Sequence, residues 1–571
     1  MNKGVIKRLL PYLLRNKALL ALTLLCALIS GLCGLFIPIV TGRGIDQMTA
    51  EGLRFMPRTI LLLGGLILAA VLTQWEYSSL AAVLAGRVAQ ALREECFDAL
   101  QALPLKYYDS TARGDVISRF TNDAEAVAEG TLQAVNQVLS GLITVIGSLI
   151  FIFIISPLAG VLILIISPFY YIFSRLIASR SAGMFKKQQD TLGRLNGYAE
   201  ERISAMRLVR AFSNERQTNE EFGAINEELY GYGFKAQFYS AVTNPSTRMI
   251  VNISYITVGA VGTLLALKSG SFTVGAISSL IIYANQYSKP INELTGLITQ
   301  MQTAIAAAAR VFGLMDEKRE AVQAPTAELS SAQGEVEFKD VSFSYQPQSP
   351  LIKCFSLKVE KGSTVAIIGP TGAGKTTLVN LLMRFYDIDS GQILIDGIDI
   401  MSLSREKLRR QFSMVLQETW LFTGTVAENI AFSKPQAARD EIIAAAKAAH
   451  AHRFIEAMPK GYDTVIFGEG EGLSQGQKQL LTIARAMLAQ APILILDEAT
   501  GSVDTKTELR IQRAFKKLMA GKTSFIIAHR LSTIREADVI LFIKEGNIVE
   551  QGTHEELLAK GGEYALLEAR Y

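Results

Sequence analysis

The chain has 571 residues, 49% of them hydrophobic and 19% charged, with a formal net charge of +4. That length calls for more than one domain, and a charged share below the roughly 25% of soluble domains excludes a disordered or fibrous chain and points to a membrane protein with a soluble part. So small a net charge makes no case for nucleic-acid binding, and four cysteines (Cys26, Cys33, Cys96, Cys354) without a CxxC pair argue against a disulfide scaffold or a zinc site.

In chain order, no charge occurs from Ala18 to Gly42, Thr59 to Trp75, Gly130 to Ser174, Met249 to Leu267 or Ser269 to Ser288. A helix needs about 20 apolar residues to cross the hydrocarbon core. Six spans are expected, at about 18–40, 58–80, 134–156, 158–178, 243–267 and 271–293, with Ser156-Pro157 as the turn inside the longest stretch. Basic residues gather before the first span (Lys3, Lys7, Arg8, Arg15, Lys17) and between the fourth and fifth (Arg175 through Lys235). That bias places the N-terminus, two long loops and everything after the sixth span on the cytoplasmic side of a cell membrane. The first apolar run is too long for a secretory signal, so no removal is expected.

The loops at about 81–130 and 176–240 are polar and amphipathic, with few prolines, and should continue the spanning helices out of the membrane. The stretch from Asp316 to Gln333 turns polar and reads as a linker. From Gly334 the pattern EVEFKDVSFSY alternates as a strand does. The expected organisation is an all-α six-helix transmembrane domain over 1–315, a linker over 316–333 and an α/β P-loop domain over 334–571.

Gly369-Pro370-Thr371-Gly372-Ala373-Gly374-Lys375-Thr376, followed by Thr377, is a complete GxxxxGK[ST] loop between an apolar strand and a helical run. Backbone N–H groups of such a loop curl around phosphate oxygens and the helix N-terminus adds its positive end. Lys375 would reach the β- and γ-phosphates of ATP, and Thr376 would ligate Mg²⁺. The apolar run Ile493–Leu496 reads as a strand buried on both faces and ends in Asp497-Glu498. Asp497 would hold the metal and Glu498 would polarise the attacking water.

Leu473-Ser474-Gln475-Gly476-Gln477, about 20 residues before that strand, resembles the signature motif of ATP-binding cassette (ABC) proteins, commonly LSGGQ. The remaining motifs follow in the family's order. Tyr345 matches the aromatic residue that stacks on adenine. Gln417 matches the Q-loop glutamine near the metal, Asp504 closes a D-loop (Gly501-Ser502-Val503-Asp504), and His529 matches the switch histidine at the γ-phosphate. Leu105–Val127 and Glu200–Glu215 are similar to the intracellular loops of ABC exporters, which dock on the nucleotide domains through short coupling helices. The resemblance covers the whole chain as a half-transporter and implies a dimer, each ATP held between the phosphate loop of one chain and the signature of the other. Asp115, Asn122 and Asp123 in the first loop, and Arg207 and Arg210 in the second, are the expected docking residues.

The departure is Gln475, where the family has glycine, beside an intact Lys375, Thr376, Asp497, Glu498, Gln417 and His529. This combination resembles the hydrolysis-competent subunit of heterodimeric bacterial multidrug exporters, so a second, different half-transporter chain is the favoured partner and a homodimer the alternative. The implied activity is ATP-driven export of a small hydrophobic or amphipathic molecule among membrane lipids. Competing readings are a homodimeric lipid flippase, a nucleotide-gated regulatory relative and a peptide exporter; intact Glu498 and His529 weigh against the second, and the 17 residues before the first span against a cargo-trimming protease. Tyr283, Asn285, Gln286 and Tyr287 on the sixth span, with Asn244, Asn252 and Tyr255 on the fifth, are candidates either for a substrate cavity or for helix–helix hydrogen bonds.

Overall fold

The structure is a computed structural model that describes residues 3–51, 56–269, 272–320, 326–329, 331–346, 348–416, 419–468, 470–497, 504–528 and 531–569. It divides into two compact units: Met1–Leu103 with Thr111–Lys318, and Pro104–Ser110 with Arg319–Tyr571.

The first unit is helical. Its elements are α1 (Lys3–Leu14), α2 (Lys17–Glu51), α3 (Met56–Gln101), then, beyond α4 (Leu105–Ser110) of the second unit, α5 (Arg113–Ser118), α6 (Ala124–Gln133), α7 (Ser140–Ile155), α8 (Pro157–Ser204), α9 (Met206–Ala211), α10 (Glu215–Ser269) and α11 (Val274–Met315). Among the described residues, four helical stretches are long and apolar enough to cross a membrane: Lys17–Thr49, Pro57–Gln101, Arg113–Ile155 and Arg248–Leu267. The expected fourth and sixth spans fall on α8 and α11, where several side chains lie outside the described residues. Helices of 46, 48 and 55 residues (α3, α8, α10) run on past the apolar stretches without a break, as the amphipathic loops suggested. At the turn between α7 and α8, Ser156 is extended and its hydroxyl accepts from the Ala159 N–H at 3.3 Å, with Pro157 at the first helical position, where a missing N–H costs nothing. Leu61, Trp75, Ile154, Ile256 and Leu267 are each more than two-thirds exposed, an apolar surface suited to hydrocarbon or to a second chain.

The contact of α2 with α11 explains the polar residues of the sixth span. Pro38 has no N–H to give the carbonyl of Gly34 one turn back. Gln286 Nε2 donates to that orphaned oxygen at 3.1 Å, Tyr283 donates to the Leu35 carbonyl and Ser279 to the Pro38 carbonyl at 2.8 Å. One turn further, Asp46 accepts from the Thr273 hydroxyl and the Gly275 N–H, both at 2.7 Å. The backbones touch there: a Cβ on Gly275 would stand 1.9 Å from the Gly42 oxygen. Tyr287 pairs with the Ser167 hydroxyl of α8 at 2.8 Å, and the Tyr283 ring stacks on Phe151 at 5.4 Å. Tyr283, Gln286 and Tyr287 therefore serve helix packing, whereas Asn252 and Asn285 are exposed and the Asn244 side chain lies outside the described residues.

Between α5 and α6 the chain makes a π-helical turn, Arg119–Asp123. Asp123 is buried within this unit and takes both arms of Arg310 from α11, at 2.5 and 2.9 Å. Asp115 pairs with Arg119 at 2.9 Å and Asn122 donates to Ser118 at 3.3 Å. Each of these three residues, named above as an expected docking residue, makes a side-chain bond within the helical unit. The first-loop segment that belongs with the nucleotide unit lies upstream, at Pro104–Ser110.

The second unit opens before the expected strand. Glu320 pairs with Arg405 and Arg409 at 3.2 Å each, and Asp396 accepts the N–H groups of Gln333, Gly334 and Glu335 at 2.6–3.1 Å. Its strands are β1 (Val336–Phe343), β2 (Ile352–Val359), β3 (Thr364–Ile368), β4 (Ser390–Ile395), β5 (Ile398–Asp399), β6 (Phe412–Val415), β7 (Gly424–Thr425), β8 (Val465–Ile466), β9 (Ile493–Asp497), β10 (Thr523–Ile527), β11 (Val539–Lys544) and β12 (Asn547–Gly552). They form an antiparallel sheet, β2-β1-β4-β5, a larger sheet, β12-β11-β3-β10-β9-β6, parallel except for β12, and the pair β7-β8. Alternate residues of the parallel strands enter opposite cores: Ile495, Phe525 and Ile527 pack with β1 and β2, and Leu494, Leu496 and Ile526 with the helices Gln475–Ala489 and Thr505–Met519. Burial on both faces is why these strands read as unbroken apolar runs.

Candidate nucleotide site

The loop Gly369–Gly374 leaves β3 and opens the helix Lys375–Leu382. Gly369 has φ +147°, and a Cβ there would come within 2.0 Å of the Ile543 carbonyl, so no side chain fits. Gly374 caps the helix at φ +100°, and the buried Ala373 is held on both sides, its N–H on the Pro370 oxygen at 3.2 Å and its oxygen under the Gly546 N–H at 3.1 Å. Lys375 Nζ donates to the carbonyls of Gly369 and Pro370 at 2.8 and 3.0 Å, folding over the loop that carries it. Burial holds its ammonium below the usual lysine range, and the charge of Asp497 works against that shift. Thr376 is exposed at the first turn of the helix; Thr377 is buried, its hydroxyl 3.2 Å from that of Tyr345.

β10 separates β3 from β9, and Asp497 lies beside Ile527 in parallel register. This brings the phosphate loop, the β9 end and the β10 end to one edge of the sheet, the carboxyl ends where α/β folds bind ligands. Glu498 and His529 follow those two strand ends in sequence; with Gln417 and Gly501-Ser502-Val503 they lie outside the described residues. Asp504 caps the helix Thr505–Met519, accepting from the Thr507 N–H at 3.0 Å, and these hydrogen bonds hold its carboxyl below the usual range.

The signature residues have a local logic of their own. Ser474 caps the helix Gln475–Ala489, its hydroxyl accepting from the Gln477 N–H at 3.3 Å, and Gln477 returns the bond by accepting from the Ser474 N–H at 2.9 Å. Leu473 is half-buried beside the cap and Gly476 is buried. The Gln475 side chain turns toward the segment that follows Gln417 and donates to the Thr419 hydroxyl at 3.2 Å. Nearly three turns along, Arg485 reaches the same segment: it donates to the carbonyls of Trp420 (3.2 Å) and Asn429 (2.9 Å) and lies over the Phe432 ring at 5.3 Å. No sequence signal singled out Arg485, an interior position of an amphipathic helix.

The donor set fits a nucleoside triphosphate: a loop whose Gly369 has no room for a side chain, a partly buried ammonium lying on carbonyls, and an exposed threonine on the same sheet edge as a strand-end carboxylate. Among the described residues no cluster of three or more His, Cys, Asp or Glu could hold a metal by itself.

Comparison with known proteins agrees with this geometry. Residues 20–291 match the ABC transporter transmembrane region, and residues 352–501 match the ABC transporter domain. A fatty acid ABC transporter ATP-binding/permease protein of Mycobacterium bovis is 45% identical over 92% of this chain and 82% of its own. An ATP-dependent lipid A-core flippase of Syntrophus aciditrophicus is 36% identical over 98% of this chain and 93% of its own. The structure of a bacterial Atm1-family ABC exporter with ATP bound superposes with a TM-score of 0.80 and 28% identity, covering 97% of this chain and 98% of the other. With its transmembrane and ATP-hydrolysing parts on one chain, the protein belongs to the ABC exporters, membrane proteins that work as dimers.

Proposed function

We propose that the chain is one half of a heterodimeric exporter that moves a hydrophobic or amphipathic molecule across the cell membrane, with six spans over residues 1–315, its N-terminus and nucleotide domain (334–571) being cytoplasmic. The observation that carries the export reading is the junction on one chain of apolar helices long enough to span with a phosphate loop whose Lys375 ammonium lies on its own carbonyls. Fatty acid and lipid are named for two relatives, which supports an amphipathic substrate with an acyl chain over a polar one.

In the reaction, Lys375 binds the β- and γ-phosphate oxygens, and the loop N–H groups from Gly369 to Thr377 enclose the phosphates. Thr376 and Asp497, with Gln417, would hold Mg²⁺, which when bound would supply positive charge to the phosphates. Tyr345 stacks on adenine. Glu498 takes the proton of the attacking water and His529 contacts the γ-phosphate. Leu473, Ser474, Gln475, Gly476 and Gln477 face the partner's nucleotide, and Asp504 closes the D-loop between the two sites.

The test is transport by inverted vesicles carrying the chain, alone and with any second half-transporter that co-purifies with it from native membranes. ATP-dependent accumulation of a labelled long-chain fatty acid or of a hydrophobic dye supports export. Nucleotide-dependent equilibration of either probe without accumulation rejects it in favour of a gated pore.

A further inference from the structure

β11 and β12 are joined by the two-residue turn Glu545-Gly546, with φ +51° and +75°. Two positive φ angles in succession make the hairpin turn whose twist suits its strands. β11 runs parallel to β3, with Phe542 beside Ile368, so the hairpin tip continues past the end of β3 to where the phosphate loop begins. There it backs onto the loop. The Ile543 carbonyl fills the space that a Gly369 side chain would need, and the Gly546 N–H donates to the Ala373 carbonyl at 3.1 Å. The Gly546 Cα would lie 3.8 Å from a Cβ on Gly374. On its other side the turn abuts the start of β2: a Cβ on Gly546 would stand 1.4 Å from the Leu351 carbonyl oxygen.

The hairpin is held fast. Lys544 pairs with Glu563 at 2.6 Å, and Glu550 of β12 accepts the N–H groups of Glu563 and Tyr564 at 2.6 and 3.1 Å, with Tyr564 fully buried. The start of the loop has no such packing behind it. A cavity of about 370 Å³ opens beside Gly369 and Pro370, lined also by Lys544, Leu531, Glu563 and Leu566. Close packing does not set the direction of the loop peptides on that side, which leaves it to hydrogen bonds. A trans peptide is planar, its C=O and N–H pointing in opposite directions. Holding the Ala373 carbonyl toward the hairpin turns the Gly374 N–H of the same peptide away from it.

We propose that Gly546 is a positioning residue for ATP binding: its N–H fixes the Ala373–Gly374 peptide so that the Gly374 N–H is presented to the phosphates. The proposal rests on Gly369–Thr376 being the phosphate loop. The carbonyls of Gly369 and Pro370 are held by Lys375. Those bonds are given up when Lys375 turns to the phosphates, whereas the bond from Gly546 does not depend on it. The peptide is aimed before the nucleotide arrives and stays aimed once it is bound.

The full-length chain in lipid nanodiscs, with any half-transporter that co-purifies with it, tests this through KM and kcat for ATP. Gly546→Ala drives a Cβ into the Leu351 carbonyl, so the turn must shift and its N–H leaves Ala373. KM should rise about tenfold or more, the worth of one hydrogen bond to a charged group, while kcat stays within about threefold of native because the base is untouched. Gly397→Ala is the control. Gly397 has φ +78°, follows Asp396 at +49° in the matching turn between β4 and β5, and has open space where its Cβ would lie. It carries the same backbone strain, and its KM should be native. Lys544→Glu sets a like charge against Glu563 and leaves the turn residues in place; it should raise KM about threefold, as an exposed ion pair is worth little. That variant decides the matter if Gly546→Ala does not fold. A native KM in Gly546→Ala, or in Lys544→Glu where only that variant folds, overturns the proposal. So does a lowered kcat with native KM, or a rise in KM that Gly397→Ala matches, since the turn would then add stability alone. If the native chain shows no saturable ATP binding, it is the phosphate-loop reading that fails, and the proposal with it.

Discussion

Lys375 lies on two carbonyls of its own loop, at 2.8 and 3.0 Å, with its ammonium depressed by burial. The sign of the consequence follows directly. Above its lowered folded value the side chain is neutral and offers no charge to phosphate, so MgATP affinity should fall as pH rises, starting below the ordinary lysine range. Kd measured from about pH 7 to about pH 10 checks this, and Lys375→Arg, charged throughout, should flatten the alkaline limb. Lys375→Ala should weaken binding at every pH. Glu498→Gln should keep ATP binding and lower hydrolysis by about 10²–10⁴-fold, the worth of a positioned base; near-native turnover would assign the base elsewhere. At this scale the sequence was most legible where backbone geometry dictates the residue, as at Gly369. It was least legible where a polar side chain finds a distant partner. Asp123 reads as a docking residue of the first loop, yet it pairs with Arg310, 187 positions away. Gln286 reads equally as a cavity amide or a helix–helix partner, and only the proline in a different helix explains the carbonyl it serves.

Among elements, the signature helix and the segment after Gln417 are tied at two points, Gln475 to Thr419 and Arg485 to the carbonyls of Trp420 and Asn429. Burial lowers the Arg485 guanidinium from its usual value, and its partners among the described residues are carbonyls and the Asn429 side chain, so the bonds offset desolvation without an ion pair there. Arg485→Met should cost about 1–3 kcal/mol, because two carbonyls lose their donor inside the fold. Calorimetry of the full chain would show a lowered Tm for the nucleotide-domain transition, and ATP at saturation should recover part of it. An unchanged Tm would mean that water replaces the arginine. That the spanning helices continue past the apolar runs was readable from composition, because the amphipathic loops carry few prolines. The π-helical turns at Arg119–Asp123 and Ala134–Leu139 were not, since an extra residue in a turn leaves no mark on hydrophobic periodicity.

For the whole molecule, the question is which chain completes the site. The phosphate loop, Asp497 and the sheet edge fit ATP, and in the dimer proposed above each such loop would meet the other chain's signature. In a homodimer both sites would place the Gln475 side chain at the helix start that meets the partner's γ-phosphate. Its bond to Thr419 costs one weak exposed hydrogen bond to break, so the side chain is free to obstruct that approach. In a heterodimer the partner supplies its own signature to Lys375 and Glu498, and Gln475 faces only the partner's nucleotide. The chain purified alone should then show weak ATPase that recovers at least tenfold on adding the partner, since closing a competent site restores contacts worth about 1.4 kcal/mol or more. Gln475→Gly should raise turnover of the lone chain but leave the chain's own site in the mixed dimer unaltered. If the lone chain is a stable dimer hydrolysing two ATP at equal rates, and Gln475→Gly changes nothing, the glutamine is tolerated and the exporter is symmetric. That result would match the lipid flippase reading, in which one chain suffices for both halves.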